Sequence, residues 1–321
     1  MSDLRRSGSL GRVLVAGNGQ AAGEILTALT RSGACEAILG IAPPGEGMRH
    51  GWQPALSTTA RELGVRVLQP VAVRGDDVFA EVQEFRPTLL LSVCYTQIFD
   101  DRLLGAVDGP SLNFHPSLLP RHRGVAPLIW AIAEGDTRTG VTVHHLDAGI
   151  DTGEVVVQRP LAIHPLDTGY RLHQKASRLM VGIGLDLIRR LVAGEPLPAG
   201  SPQSGTASEH RRSDPQLNHI TWTDGAERIR NIVRALAPPL PGAFFMVRSA
   251  HVLLEGVRAE LRPRRSRHGM LGSIELFDDG TPAVQVVDGS VVVERMLIDG
   301  RSVSGAEGFE LLGLRSGDVL S

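Results

Sequence analysis

Through its first 115 residues the chain alternates short apolar runs with stretches whose apolar residues recur at helical spacing. GRVLVAG (11–17), EAILGIA (36–42), VRVLQP (65–70), TLLLSVC (88–94) and PSLNFH (110–115) have the length and apolar density of buried strands. AAGEILTALTRSG (21–33), TTARELG (58–64) and DDVFAEVQEF (76–85) lie between them as helices. Ile25, Leu26 and Leu29 share one face of the first, and a glycine closes it. Strand, helix and strand in repetition predict an α/β fold with a doubly wound, mostly parallel, Rossmann-like sheet. Ligands in such sheets sit at the carboxyl ends of the strands, which is where PSLNFH leads.

GVTVHHLDAGIDTGEVVVQ (140–158) predicts two more strands joined by a loop, and a long helix follows with Leu172, Leu179, Ile183, Leu187 and Leu191 in period before Gly194. The composition then shifts. Residues 194–216, GEPLPAGSPQSGTASEHRRSDPQ, are rich in Pro, Gly and Ser without periodicity, the mark of a linker or wrapping loop. WTDGAERIRNIVRAL (222–236) starts like a capping box, Asp224 with Glu227 three residues on, and lines Ile229, Ile232, Val233 and Leu236 along one face. The remainder alternates short β-rich runs with Gly and Asp turns, the pattern of a small, OB-like β-barrel. The expected organisation is a catalytic domain over 1–194, a linker over 195–216 and a C-terminal barrel over 217–321.

A formal net charge of −2 encodes no overall pull toward nucleic acid or an anionic membrane. Cys35 and Cys94 sit in apolar stretches without CxxC spacing and read as reduced thiols. The polar N-terminus precedes an apolar run too short for a signal peptide or a membrane span, so a cytoplasmic protein is expected.

AGNGQAAG (16–23) places Gly17, Gly19 and Ala22 in GxGxxA spacing between a strand and a helix, which suits an NAD(P)-dependent oxidoreductase. The acid such a site wants about 20 residues on is missing. That region reads LGIAPPGEG, and Arg49 is late for a 2′-phosphate. The loop Gly17, Asn18, Gly19 still offers N–H groups to a ligand phosphate or carboxylate, or serves only as a tight turn.

Asn113 and His115 face one side of their strand, because strand side chains alternate. The turn over 116–120 would expose the backbone of Ser117, Leu118 and Leu119 to the same site, and DAGIDTG (147–153) presents Asp147 and Asp151 between glycines. An amide, an imidazole and a carboxylate suit acyl transfer: Asn and a protonated His stabilise an oxyanion, while Asp holds the imidazolium and relays a proton. No Ser or Cys nucleophile accompanies them, so the acceptor would attack directly. The plainer alternative is a satisfied core histidine. His115, His122, His144 and His145 lack metal-ligand spacing, and no metal is expected.

Residues 111–156, SLNFHPSLLPRHRGVAPLIWAIAEGDTRTGVTVHHLDAGIDTGEVV, closely resemble the core of the 10-formyltetrahydrofolate-dependent formyltransferases, which include glycinamide ribonucleotide, methionyl-tRNA and amino-sugar formyltransferases. The likeness extends loosely over 11–194, and VRALAPPLPGAF resembles the start of that family's C-terminal barrel. The resemblance implies Asn113, His115 and Asp151 as catalytic residues, with Asp151 keeping His115 charged. It implies folate binding by Tyr95, Thr96, Gln97 and Ile98, by Ser117, Leu118, Leu119 and Pro120, and by Asp147, Ala148, Gly149 and Ile150. The formyl donor would be 10-formyltetrahydrofolate.

Family members that act on initiator tRNA carry a basic loop after the second strand. Here APPGEGMRHGWQP (42–54) holds one Arg, one Glu and one His, poor support for phosphate binding. RPRRSRH (262–268) is a local basic patch, but residues 211–321 hold 14 Arg against 14 Asp plus Glu. The preferred acceptor is a small amine, an amino-sugar nucleotide or an amino-acid-derived metabolite such as hydroxyornithine. Initiator tRNA is the alternative, followed by water in a formyltetrahydrofolate hydrolase; a non-catalytic binding module comes last.

Overall fold

The computed structural model describes residues 8–45, 54–211, 217–261, 270–277 and 280–320. The chain divides into two compact units. One runs to Pro127 and takes in Thr139–Leu161 and Gln174–His210; the other comprises Leu128–Arg138, Ala162–His173 and the chain from Arg211.

In the first unit the elements follow in chain order: β1 Gly11–Gly17, α1 Gly19–Ser32, β2 Cys35–Ile41, α2 Leu56–Glu62, β3 Arg66–Leu68, α3 Asp76–Phe85, β4 Leu89–Val93, α4 Asp101–Leu104 and β5 Ser111–His115. Then come the two-residue β6 Arg123–Gly124, α5 Pro127–Ala133, which belongs to the second unit after its first residue, β7 Arg138–His145, β8 Val155–Ala162, α6 Gly169–Val192, which belongs to the first unit from Gln174 on, and the two-residue β9 Glu209–His210. The sheet has seven strands in the order β3-β2-β1-β4-β5-β7-β8. The pairs among β1 to β5 are parallel, and β7 runs antiparallel to β5. Every residue of β4 is buried, as a strand covered on both faces requires.

Helix α1 buries Ile25, Leu26 and Leu29 and stops where Gly33, at φ 64°, returns its N–H to the Thr30 carbonyl. In α6 the buried stripe is Leu172, Ala176, Met180, Ile183 and Leu187, with Leu179 and Leu191 only half-buried. Gly184 lies on that stripe because a Cβ there would come within 2.8 Å of Ile25 Cδ1.

The second unit contains α7 Ala226–Ala235, β10 Ala243–Val247, β11 Ala250–Glu260, β12 Ile274–Leu276, β13 Pro282–Val286, β14 Gly289–Ile298, β15 Arg301–Ser304 and α8 Gly305–Leu311. Its sheet is antiparallel, in the order β10-β11-β14-β13-β12, and β14 pairs β13 through its first half and β15 through its second. Ile229, Ile232 and Val233 of α7 join Phe245, Val252, Val291, Val293 and Phe309 in one core.

The capping box does not form. The N-cap of α7 is Gly225, and the first free N–H, that of Ala226, donates at 2.7 Å to Asp288 in the turn between β13 and β14. Asp224 instead accepts from the Thr221 hydroxyl and pairs with Arg228. Arg49, most of the 42–54 loop and the 262–268 patch lie outside the described residues. Among the described residues no helix is long and apolar enough to cross a membrane.

Candidate active site

β5 carries Asn113 and His115 to the carboxyl edge of the sheet, and the antiparallel β7 sets His144 opposite Asn113 and Thr142 opposite His115. The turn after β5 contains a cis peptide between Leu119 and Pro120 and is held by its own polar groups. The Ser117 N–H donates to the His115 carbonyl at 2.9 Å, and the Ser117 hydroxyl to the Arg121 carbonyl at 2.7 Å. Thr142 donates to the Ser117 carbonyl and accepts from the Leu119 N–H, while Gln158 donates to the Leu119 carbonyl. Ser117 and Leu119 are buried, so the backbone groups that the sequence offered to a ligand are consumed in satisfying the turn itself. The Leu118 N–H is not among these bonds.

Asp151 adopts a left-handed backbone, φ 52°, at the tip of the loop between β7 and β8. Its Oδ2 accepts from the Gly124 N–H at 2.8 Å and stands 3.4 Å from His115 Nδ1. Its Oδ1 accepts from Asn113 Nδ2 at 3.0 Å and stands 3.3 Å from His144 Nε2. The fold thus brings Asn113 and His115 together around the Asp151 carboxylate.

His115 Nε2 lies 2.8 Å from the His122 carbonyl, which can only accept, so that nitrogen carries the proton and Nδ1 is left for chemistry. Burial pushes the ring below the ordinary histidine range; Asp151 and the His122 carbonyl pull it up without overcoming that. The expectation that Asp151 keeps His115 charged therefore fails for the resting site. At 4% exposure, loss of hydration outweighs one carboxylate. Burial also works against a charge on Asp151, yet the His115 ring, charged in the acid where that carboxyl titrates, and the Gly124 N–H hold it well below the usual carboxylate range.

Sequence reasoning missed His144. Its Nδ1 donates to the His145 carbonyl at 2.8 Å, leaving Nε2 to accept the second N–H of Asn113 at 3.1 Å. Both amide hydrogens of Asn113 are thus engaged at rest, one on His144 and one on Asp151. The HisHis pair in TGVTVHH was a signal, but only the register against β5 tells which ring faces Asn113.

Around this centre Tyr95 stacks on Phe99, 5.4 Å between ring centroids, and its buried hydroxyl has no hydrogen-bond partner among the described residues. Burial pushes that phenol up. Thr96 is exposed. Gln97 accepts from the Val73 N–H at 2.6 Å, and the Ile98 carbonyl accepts from Arg74, so these two anchor the neighbouring loop. Asp147, Ala148 and Gly149 are exposed and Ile150 half-buried. Asp147 closes that loop by accepting from Thr152 and the Gly149 N–H. At the glycine loop, Gly17 answers to packing: a Cβ there would lie 2.5 Å from Ala22 Cβ and 2.9 Å from the Val93 carbonyl.

Two family models match the chain, "Formyl transferase" over residues 12–182 and "Formyl transferase, C-terminal domain" over 212–310. A methionyl-tRNA formyltransferase of Geobacter metallireducens is 31% identical over 266 residues, 80% of each chain. Among solved structures, the sugar 3N-formyl transferase WlaRD, in the presence of dTDP and 5-N-formyl-THF, superposes with a TM-score of 0.65 at 20% identity, covering 89% of this chain and 97% of that one. An N-formyltransferase from Helicobacter canadensis in complex with folinic acid and dTDP-3-aminofucose reaches the same TM-score at 19% identity, covering 89% and 98%.

Proposed function

The chain belongs to the formyl transferase family, and from that premise we propose that it moves the formyl group of 10-formyltetrahydrofolate onto the amine of a small molecule, at Asn113, His115 and Asp151. The enzyme is a folate-dependent N-formyltransferase. The donor fits the residues present, since the orphaned Tyr95 hydroxyl and the open loop over 147–150 offer polar groups to a polar ring system. When bound, it supplies an activated formyl carbon.

In this reading the acceptor amine attacks that carbon and negative charge gathers on the formyl oxygen. Asn113 turns one N–H from His144 or Asp151 to that oxygen. His115 Nδ1, neutral at rest, takes the proton of the attacking amine, and Asp151 stabilises the resulting imidazolium through a charge-assisted bond. The proton then goes to the folate nitrogen as its bond to carbon breaks. A histidine held below its ordinary range suits this, because it is unprotonated when the amine arrives.

The observation that carries the small acceptor is the paired state of four described arginines of the second unit. Arg228 pairs with Asp224, Arg230 with Glu227, Arg258 with Glu260 and Glu294, and Arg301 with Glu307. Arginines matched by acids release few counterions from a nucleic-acid backbone. An amino-sugar nucleotide or an amino-acid-derived amine such as hydroxyornithine is the acceptor class. Transfer to initiator tRNA is the second reading, favoured by the identity with methionyl-tRNA formyltransferases. The free thiols of Cys35 and Cys94 accord with a reducing, cytoplasmic setting. Release of tetrahydrofolate against a panel of amino-sugar nucleotides, hydroxyornithine, charged initiator tRNA and buffer tests the reading. Turnover with one small amine is the expected result, and turnover with tRNA alone would overturn it.

A further inference from the structure

After α6 the chain does not leave the first unit at once. Ser201 exchanges both backbone bonds with Val155 at the start of β8, 2.8 and 2.9 Å. Seven residues on, the Ser208 hydroxyl accepts from the His122 N–H and the Ser208 carbonyl from the Arg123 N–H, each at 2.9 Å. β9 then pairs in parallel with β6, Arg123 beside Glu209 and Gly124 beside His210. Between these anchors lies Gln203. Its Nε2 donates to the Asp151 carbonyl at 2.7 Å and the Gly153 carbonyl at 2.9 Å, and its Oε1 accepts from Arg123 Nη2 at 2.7 Å.

These bonds close a ring. Gln203 holds Asp151 by its backbone and Arg123 by its guanidinium, and the next residue, Gly124, holds the Asp151 carboxylate. A non-glycine residue in the left-handed region is kept there by surroundings that over-determine it. Gly153 adds to the constraint, since a Cβ there would lie 1.8 Å from the His145 carbonyl. We propose that Gln203 is a positioning residue for formyl transfer: by tying the Asp151 and Gly153 carbonyls to Arg123, it aims the Asp151 carboxylate at His115 and Asn113. The role rests on the reading of Asp151 as catalytic.

The test uses the full chain with Gln203→Ala, Gln203→Glu and, as reference, Asp151→Asn. Glu keeps the length and the Arg123 contact but lacks the two N–H donors. Both Gln203 variants should bind 5-formyltetrahydrofolate nearly as the wild type does. On the panel acceptor the wild type uses, they should lose kcat on the order of 10²-fold with little change in KM, the scale of a displaced catalytic group. With ¹⁵N-labelled histidine, the His115 ring signal, which also senses His122 and His144, should move in Gln203→Ala in the direction Asp151→Asn moves it. That readout needs no acceptor, and the direction shared with Asp151→Asn separates a displaced carboxylate from a general change in packing. Wild-type kcat in Gln203→Glu beside an inactive Asp151→Asn would overturn the role of Gln203. Wild-type turnover in Asp151→Asn would instead overturn the catalytic reading beneath it.

Discussion

Gly124 and Asp151, 27 positions apart in sequence, are joined by a 2.8 Å bond from backbone N–H to carboxylate, at a place where the donor has to be glycine. Its φ is 88°, and a Cβ would lie 2.2 Å from the His210 carbonyl, a backbone atom with no room to yield. Gly124→Ala should therefore separate β6 from β9 and leave the carboxylate short of one donor. The expected loss is about 1–3 kcal/mol in urea unfolding. Turnover should fall with it, and unchanged kcat would show that the bond does not matter to the reaction.

Asn113→Ala removes the amide assigned to the formyl oxygen. Loss of one such donor lowers kcat by about 10²–10³. Affinity for 5-formyltetrahydrofolate should stay near that of the wild type, so single-turnover kinetics beside calorimetric binding separate the two effects. His115→Ala removes the group proposed as base and should abolish transfer with the same sparing of donor binding.

Two groups with depressed values make the fold sensitive to acid. His115 is lowered by burial, so the native chain binds fewer protons than the unfolded one just below the ordinary histidine value of about 6.5. Its contribution is full above that value and is lost as pH falls toward the depressed native value. Asp151 is lowered too, and its contribution is full above about 3.9 and lost only in stronger acid. The melting temperature should decline between pH 7 and pH 5, and His115→Gln should flatten that decline. An equal slope in the variant would place the sensitivity elsewhere.

Salt separates the acceptor readings. With a small amine, kcat/KM should change little between about 50 and 200 mM salt, whereas an acceptor held by 6–10 phosphate contacts would lose about 10³–10⁵ in affinity. Measurement of each acceptor at the two ionic strengths decides.

What was legible in the sequence had a local cause. The apolar runs of β1 and β4 announce strands because both faces are buried, and in β5, where Leu112 and Phe114 are buried and Ser111 and Asn113 half-buried, period two sets Asn113 and His115 on one face. What was not legible came from distant residues. The α7 cap comes from Asp288, 62 positions away from the N–H it holds. His144 was hidden in a cross-strand register, and Gln203 in a stretch whose Pro, Gly and Ser content says nothing of its bonds. The charge of His115 was misjudged because charge follows burial, which spacing does not report. Helix α5, PLIWAIA, lacks an acid in its first turn and a base in its last, and so carried no charge signal of its ends.

The return of residues 201–210 along β8 and β6 bears on how such enzymes can be recombined. A chimera joined at 194, where the composition changes, would import Gln203 and Ser208 from the other parent and leave the Asp151 loop stitched by foreign thread. The smallest inheritable cassette for this chemistry ends after His210. Exchanges of the C-terminal unit should breed true only with their junction beyond that histidine.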